Sequence, residues 1–191
     1  MFALRRSAAE TDASDLSGAL ARVLRAPCAR GDGDAAPGVP GACREALGVL
    51  ADAMTVLTEA GAHVRRAAQH VIEAASQDDA GRALAAERYD DARRAVDAAL
   101  TDAPEGAITL LQPGAERLSV HLTGATYAIA PFPLSTDEYG LDLPPPTHGF
   151  VSHAEVADTL RRVEVALERI GRARAVYEED AAFLRRRAAR G

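Results

Sequence analysis

The sequence predicts a mainly α protein: an elongated helical bundle with long heptad helices and a small β-hairpin or three-stranded sheet inserted before the last one. Three observations carry that expectation. Between Pro40 and Gln77 the small and apolar residues fall at Leu47, Leu50, Met54, Leu57, Gly61, Val64, Ala68, Val71 and Ala75. Those alternating steps of three and four set a narrow packing seam along one helix. Near the other end the same steps run Val156, Leu160, Val163, Leu167, Ile170, Arg174, Tyr177, Ala181 and Leu184. The third observation is compositional. The chain is 48% hydrophobic but only 4% aromatic, with no Trp, and its wealth of Ala, Leu, Arg and Glu suits long packed helices. At 191 residues it makes one domain overall, large enough to bury a core without metal or disulfide staples.

Residues 1–13 read as a flexible N-terminus. From Ser14, the spacing Leu16, Leu20, Val23 predicts a short helix that stops near Ala26, because a proline at position 27 pushes the residue before it out of the helical region. Cys28 to Gly41, with Gly31, Gly33, Pro37, Gly38 and Pro40, is a loop by composition, and Pro40 suits the start of a long helix. Short helix, loop and long helix make a hairpin of unequal arms. Asp78 and Asp79 offer an N-cap for a third helix, along which Ala85, Tyr89, Ala92, Val96 and Ala99 share a face and Asp90 pairs with Arg94 on the solvent side. Gly81 and the paired aspartates favour a turn ahead of it. Residues 14–103 therefore form the hairpin plus a third helix.

Pro104 and Gly106 end the helical half, and residues 104–130 read as a small sheet. Ile108–Gln112 and Arg117–Leu122 are the expected strands, with Leu118, Val120 and Leu122 on one face of the second. Between them Gln112-Pro113-Gly114-Ala115 places Pro and Gly as a type II turn requires. Thr126–Ala130 adds a third strand, stopped by Pro131 and Pro133. Residues 131–151 form a Pro-rich strap, stiffest at Pro144, Pro145 and Pro146. A loop of that length is often functional; here it either returns the chain to the far end of the bundle or serves as an assembly arm. Residues 152–191 form the last long helix. Ser152 is its N-cap, Glu155 completes a capping box, and Val151 staples onto Val156. Asp158–Arg162 and Glu168–Arg172 are four-apart pairs, and Arg185, Arg186, Arg187 and Arg190 complement the dipole of the last turn.

The charge of −6 gives no global pull toward nucleic acid, and the scarcity of aromatics argues against base stacking. All 22 basic residues are Arg, which excludes lysine Schiff bases, lysine general bases and a Walker-type phosphate loop, and suggests a GC-rich genome. No apolar run approaches the roughly 18–20 residues that span a bilayer. The polar stretch from Ser7 to Asp15 leaves no signal-peptide core. The expected protein is soluble: cytoplasmic, or exported without a cleavable signal, or part of a virion or assembly.

Candidate sites are few. Cys28 and Cys43 flank the glycine-rich loop at facing helix ends; a disulfide closing roughly fifteen residues would add about 3 kcal/mol, and two unpaired thiols are the alternative. His63 and His70 share a helix face about 10 Å apart, too far to ligate one zinc ion comfortably. His148 and His153 flank the last helix start with Asp142 and Glu155 nearby in sequence, at a spacing that matches no strong ligand pattern. Asp32 and Asp34 lack the remaining positions of a calcium loop. No nucleophile elbow, His-Glu-x-x-His or dinucleotide fingerprint occurs. The reading is thus of a non-catalytic protein without cofactor or metal and with no small-molecule substrate evident. Its seam (Leu47, Leu50, Met54, Leu57, Val64, Val71, Val156, Leu160, Val163, Leu167, Ile170 and Tyr177) packs on itself and on a protein partner or a further copy.

The segment Ala46-Leu-Gly-Val-Leu-Ala-Asp-Ala-Met through Ala60-Gly-Ala-His-Val-Arg-Arg-Ala-Ala to Asp78-Asp79 resembles the second arm of ESX-type (type VII secretion) Trp-x-Gly helical hairpins and their excreted relatives in GC-rich actinobacteria. It covers less than half of the chain. The signature Trp is absent, with Gly31 to Gly41 in its place. The Tyr-x-x-x-Asp/Glu signal is missing too, since Arg93 follows Tyr89 and Ala181 follows Tyr177 at that distance. The resemblance implies an exported interaction module. The alternative is a structural subunit of a larger assembly (a virion, a shell or an injection apparatus) that uses the hairpin and strap as inter-subunit arms.

Overall fold

The computed structural model describes residues 38–190. Helix α1, Val39–Ala74, is 36 residues long and touches most of the other elements. Helix α2, Asp79–Thr101, follows, then a short α3, Glu105–Leu111, the hairpin strands β1, Leu118–Leu122, and β2, Ala125–Ile129, and a second 36-residue helix, α4, His153–Ala188. The link 75–78 brings α2 back along α1. Helix α4 is antiparallel to α1 as well: Gly61 and Ile170, each near its helix's midpoint, are in contact, while Gly149, just ahead of α4, lies against Ala83 near the start of α2. Each long helix is about 54 Å from end to end. The mainly α rod with a small sheet is the architecture the heptads predict.

The buried stripe is wider than the heptad seam and rotated from it. On α1, Leu50, Leu57, Val64 and Val71 are wholly buried, and so is the small-residue column Ala53, Ala60, Ala67 and Ala74 beside them. Leu47, Met54 and Ala68 are only half-buried. Three columns per two turns is what a helix in a globular core requires, whereas a two-helix coil needs two. On α4 the column Val156, Val163, Ile170, Tyr177 and Leu184 is buried with Thr159, Ala166 and Ala173, and Leu160 and Leu167 are half-buried.

Helix α2 begins as the sequence suggests. A turn separates it from α1, and the Asp78 carboxylate accepts the Gly81 N–H at 2.8 Å. Asp90 and Arg94 pair at 3.2 Å. Ser152 caps α4 by accepting the Glu155 N–H at 3.1 Å. The rest of the expected start differs: the Glu155 carboxylate turns away from a reciprocal cap to accept the N–H groups of Thr147 and His148, and Val151 is 68% exposed instead of stapled.

The expected strand at Ile108–Gln112 is helix α3. Pro104 stands at the N-cap position, Glu105 favours the first turn, and Ala107, Leu110 and Leu111 bury one helical face. Packing on α1 overrides the β-propensity of Ile-Thr, at a point so tight that a Cβ on Gly106 would meet the Val49 Cα at 3.3 Å. The sheet consequently has two strands, antiparallel in the register Leu118↔Ile129 to Leu122↔Ala125. The type II turn forms as read, with Gly114 at φ +78° and the Ala115 N–H donating to the Gln112 carbonyl at 3.1 Å. It joins α3 to β1 and not two strands. Val120 is buried while Ser119 and His121 are exposed, the alternation expected of this strand.

Cys43 is buried. The expected N-terminal helix, Cys28, Asp32 and Asp34 lie outside the described residues. Among the described residues no helix is long and apolar enough to cross a membrane.

Candidate assembly surface

Residues 130–152 carry the chain from the hairpin to the distant start of α4. They do so as part of the core: Leu134, Leu141, Leu143 and Phe150 are wholly buried. The strap begins by satisfying a helix end. The N–H groups of Phe132 and Leu134 donate to the Leu110 and Leu111 carbonyls, both at 2.8 Å, which would otherwise be orphaned at the end of α3.

The chain then folds into a tight loop organised by Asp137. Its carboxylate accepts the Ser135 hydroxyl at 2.9 Å and the N–H groups of Tyr139 and Gly140 at 3.0 and 2.8 Å. These hydrogen bonds, the Ser135 hydroxyl foremost, hold the carboxyl below its ordinary range. The Leu141 N–H closes the loop on the Ser135 carbonyl at 2.7 Å. Position 140 has to be glycine, because a Cβ there would collide with the Ser135 carbonyl and hydroxyl. Asp142 adopts φ +55° between the buried Leu141 and Leu143, and its carboxylate is held by Arg162 of α4 at 2.6 Å.

Helix α2 anchors the loop from the other side. Asp97 accepts both the backbone N–H and the hydroxyl of Thr136, at 3.0 and 2.7 Å, and Arg93 donates to the same hydroxyl oxygen at 2.9 Å while pairing with Asp90 at 2.7 Å. The Tyr89 hydroxyl donates to the Pro144 carbonyl at 3.0 Å, and its ring lies 5.5 Å from that of Phe150, which sits at φ +59°. The Tyr177 hydroxyl donates to the Ala130 carbonyl at 3.2 Å. Burial pushes the Tyr89 and Tyr177 hydroxyls up to about 12. Tyr127 rises to about 12 through burial and then its hydrogen bond to Asp180, with its ring stacked on Phe183.

The outcome is an immobilised strap that displays selected groups. Pro144 and Pro145 are exposed, Pro146 is half-buried, and Tyr139 is 77% exposed at the loop tip. Arg93, Tyr139, Leu143, Pro144 and Pro145 line a shallow groove beside it.

A second surface is the edge where α1 meets α4 on the side away from α2. Of the seam residues, Leu50, Leu57, Val64, Val71, Val156, Val163, Ile170 and Tyr177 are buried within the bundle. Leu47, Met54, Leu160 and Leu167 are half-buried along this edge, with Ala51, Thr58 and Arg65 exposed beyond them and Ile72 at 57% exposure. Arg174 interrupts the edge near its middle. Its Nη2 is 3.6 Å from Glu178, and its Nε is buried without a partner among the described residues.

The histidines are spread out. His63 is 3.0 Å from Arg66 and His70 is 3.2 Å from Glu73, both in the groove between α1 and α2. Around His148, Glu155 is taken up by backbone N–H groups and Asp142 by Arg162. Among the described residues no three His, Cys, Asp or Glu side chains converge to hold a metal ion.

No family model and no curated protein matches the sequence. Solved structures of similar fold include the crystal structure of Bacillus cereus flagellin, with a TM-score of 0.69 at 13% identity, over 85% of this chain and 94% of that one. At that identity the likeness is one of fold.

Proposed function

We propose that this chain is a non-catalytic structural subunit of the filament type, which assembles with further copies of itself. The observation that carries the reading is the rod: two antiparallel 36-residue helices with a strand-bearing flank, a fold similar to that of flagellin over 85% of the chain. The strap supports it. An aromatic side chain held out on a loop fixed by Asp137, Asp97 and Arg162 is ready for contact without an ordering cost, and exposed tyrosines on rigid supports are favoured anchors of interfaces. The hairpin and the strap, centred on Tyr139 and on Pro144, Pro145 and Pro146, are the inter-subunit arms.

The test is growth with concentration, followed by sedimentation velocity for the full chain and for Tyr139→Ala. The native chain is expected to form species larger than a dimer, and the variant to need about tenfold more protein to do so, as for loss of a hot-spot contact. Helical content should be the same in both. Identical assembly of the two proteins would dismiss the strap as the contact, and a native chain that never grows would dismiss the subunit reading.

A further inference from the structure

The strap presents anchored negative charge beside an aromatic face. Asp137 commits one oxygen to its own loop: Oδ1 accepts the Ser135 hydroxyl and the N–H groups of Tyr139 and Gly140. Oδ2 has no partner among the described residues, and the carboxylate stands exposed next to Glu138, which is exposed too. Tyr139 is 77% exposed at the same tip, and Pro144 and Pro145 line the same groove. An anchored carboxylate with a second beside it, next to an aromatic ring, suits a planar, forked cation: the guanidinium of arginine. The chain carries that group on another surface. Arg185, Arg186, Arg187 and Arg190 are exposed at the end of α4. Arg187 is held in place there, its guanidinium 5.5 Å over the Phe183 ring, which is itself stacked on Tyr127 of the hairpin.

We propose that these two surfaces meet between copies: Asp137 and Glu138 in the strap of one chain take Arg186 and Arg187 of the next, with the Tyr139 ring alongside. They cannot meet within one chain. The Asp142–Arg162 pair ties the strap loop to the early part of α4, and Arg187 lies about seven turns further along that helix, roughly 37 Å away. That is far beyond the reach of one side chain. The contact joins two different patches, so each added copy leaves one strap and one arginine end open, and the contact can repeat. Charge sets this order. Strap against strap would bring carboxylates together, and arginine end against arginine end would bring guanidinium groups together. The inference rests on the self-assembling reading above and names the surface that the strap contacts. The hairpin takes part by holding Arg187 through Tyr127 and Phe183.

Charge reversal in the full chain tests it, by sedimentation velocity across a concentration series. Glu138→Arg and Arg187→Glu should each need at least about tenfold more protein than the native chain to grow past the dimer. An equal mixture of the two variants should grow at close to the native concentration, because every contact in it can form between opposite charges. Asp137→Asn keeps an oxygen for the three loop hydrogen bonds and removes only the charge. It should raise the required concentration about threefold or more and lessen the dependence on salt. Hydrogen exchange at residues 134–143 and at Leu57 to Val64 should match the native chain in every variant. If Glu138→Arg disturbs the loop amides, Arg187→Glu and Asp137→Asn decide, and native growth by both would overturn the inference. Native growth by the two charge-reversed variants would overturn it and leave the subunit reading standing, and so would a mixture that fails to grow. A native chain that stays at one or two copies would dismiss both.

Discussion

Replacing Asp97 with Ala should unfasten the strap from the bundle. Both carboxylate oxygens are committed to Thr136, one to its N–H at 3.0 Å and one to its hydroxyl at 2.7 Å, and Thr136 is only 7% exposed. Hydrogen bonds to a charged group are worth about 1.5–3 kcal/mol each, and the two donors would be left buried without an acceptor. Ala is the better helix former, which returns about 0.5 kcal/mol, and some water will reach the vacated position. A net loss of about 3 kcal/mol is expected, equivalent to a fall of roughly 6–12 °C in Tm for a chain of this size. Urea unfolding of the native chain, Asp97→Ala and Thr136→Val measures it. The valine variant keeps the backbone donor paired and should lose about half as much. Hydrogen exchange should show the amides of residues 134–143 opening first, with α1 and α4 unaffected. An Asp97→Ala protein within about 1 kcal/mol of native would refute the claim that these two bonds fasten the loop.

Three further outcomes follow from the packing. Leu57→Ala, at a wholly buried position on α1, should cost about 2–5 kcal/mol of unfolding free energy in urea; a smaller loss would mean that the bundle closes around the gap. Gly140→Ala drives a Cβ into the Ser135 carbonyl and should cost about 1–3 kcal/mol, with exchange faster only in the Asp137 loop; a neutral variant would show that the loop shifts freely. Tyr89 and Tyr177 are held up to about 12 by burial against an ordinary 10.0. Below pH 10 both are protonated in the folded and unfolded chains; from pH 10 to 12 the unfolded chain loses these protons first, so stability falls through that window. At about 1.36 kcal/mol per unit and group, and with solvent screening reducing the share of Tyr177, the loss is on the order of 3 kcal/mol. Urea midpoints at pH 9 to 12 should show it, and the double Phe variant should reduce the decline to the part that Tyr127 contributes.

Period carried most of what the sequence disclosed. The two long helices with repeated three–four spacing are present, and the caps read at Asp78 and Ser152 start α2 and α4, because amphipathic periodicity and capping are local signals. The misread strand at Ile108 shows the limit: seven residues with a β-branched pair are too few to separate a strand from a short helix. What decides is the contact of Gly106 with Val49, over fifty residues away. The heptad reading also placed Leu47, Met54, Leu160 and Leu167 on equal terms with Leu50 and Val163, since a seam read from one helix cannot show which flank its neighbour covers. Asp97 and Thr136 were missed altogether. Each looks like an ordinary surface residue, and the pair is made by two segments 39 residues apart. The exposed Tyr139 gave no signal either, since nothing near it in sequence reveals that Asp137 fixes the loop.

The most direct test of the central claim is the absolute mass of the full chain in solution, by light scattering across a concentration series. A self-assembling structural subunit predicts a mass that climbs with concentration past the dimer into extended polymers. A mass of one or two chains at every concentration would contradict it and assign the rod to a defined complex with a different partner.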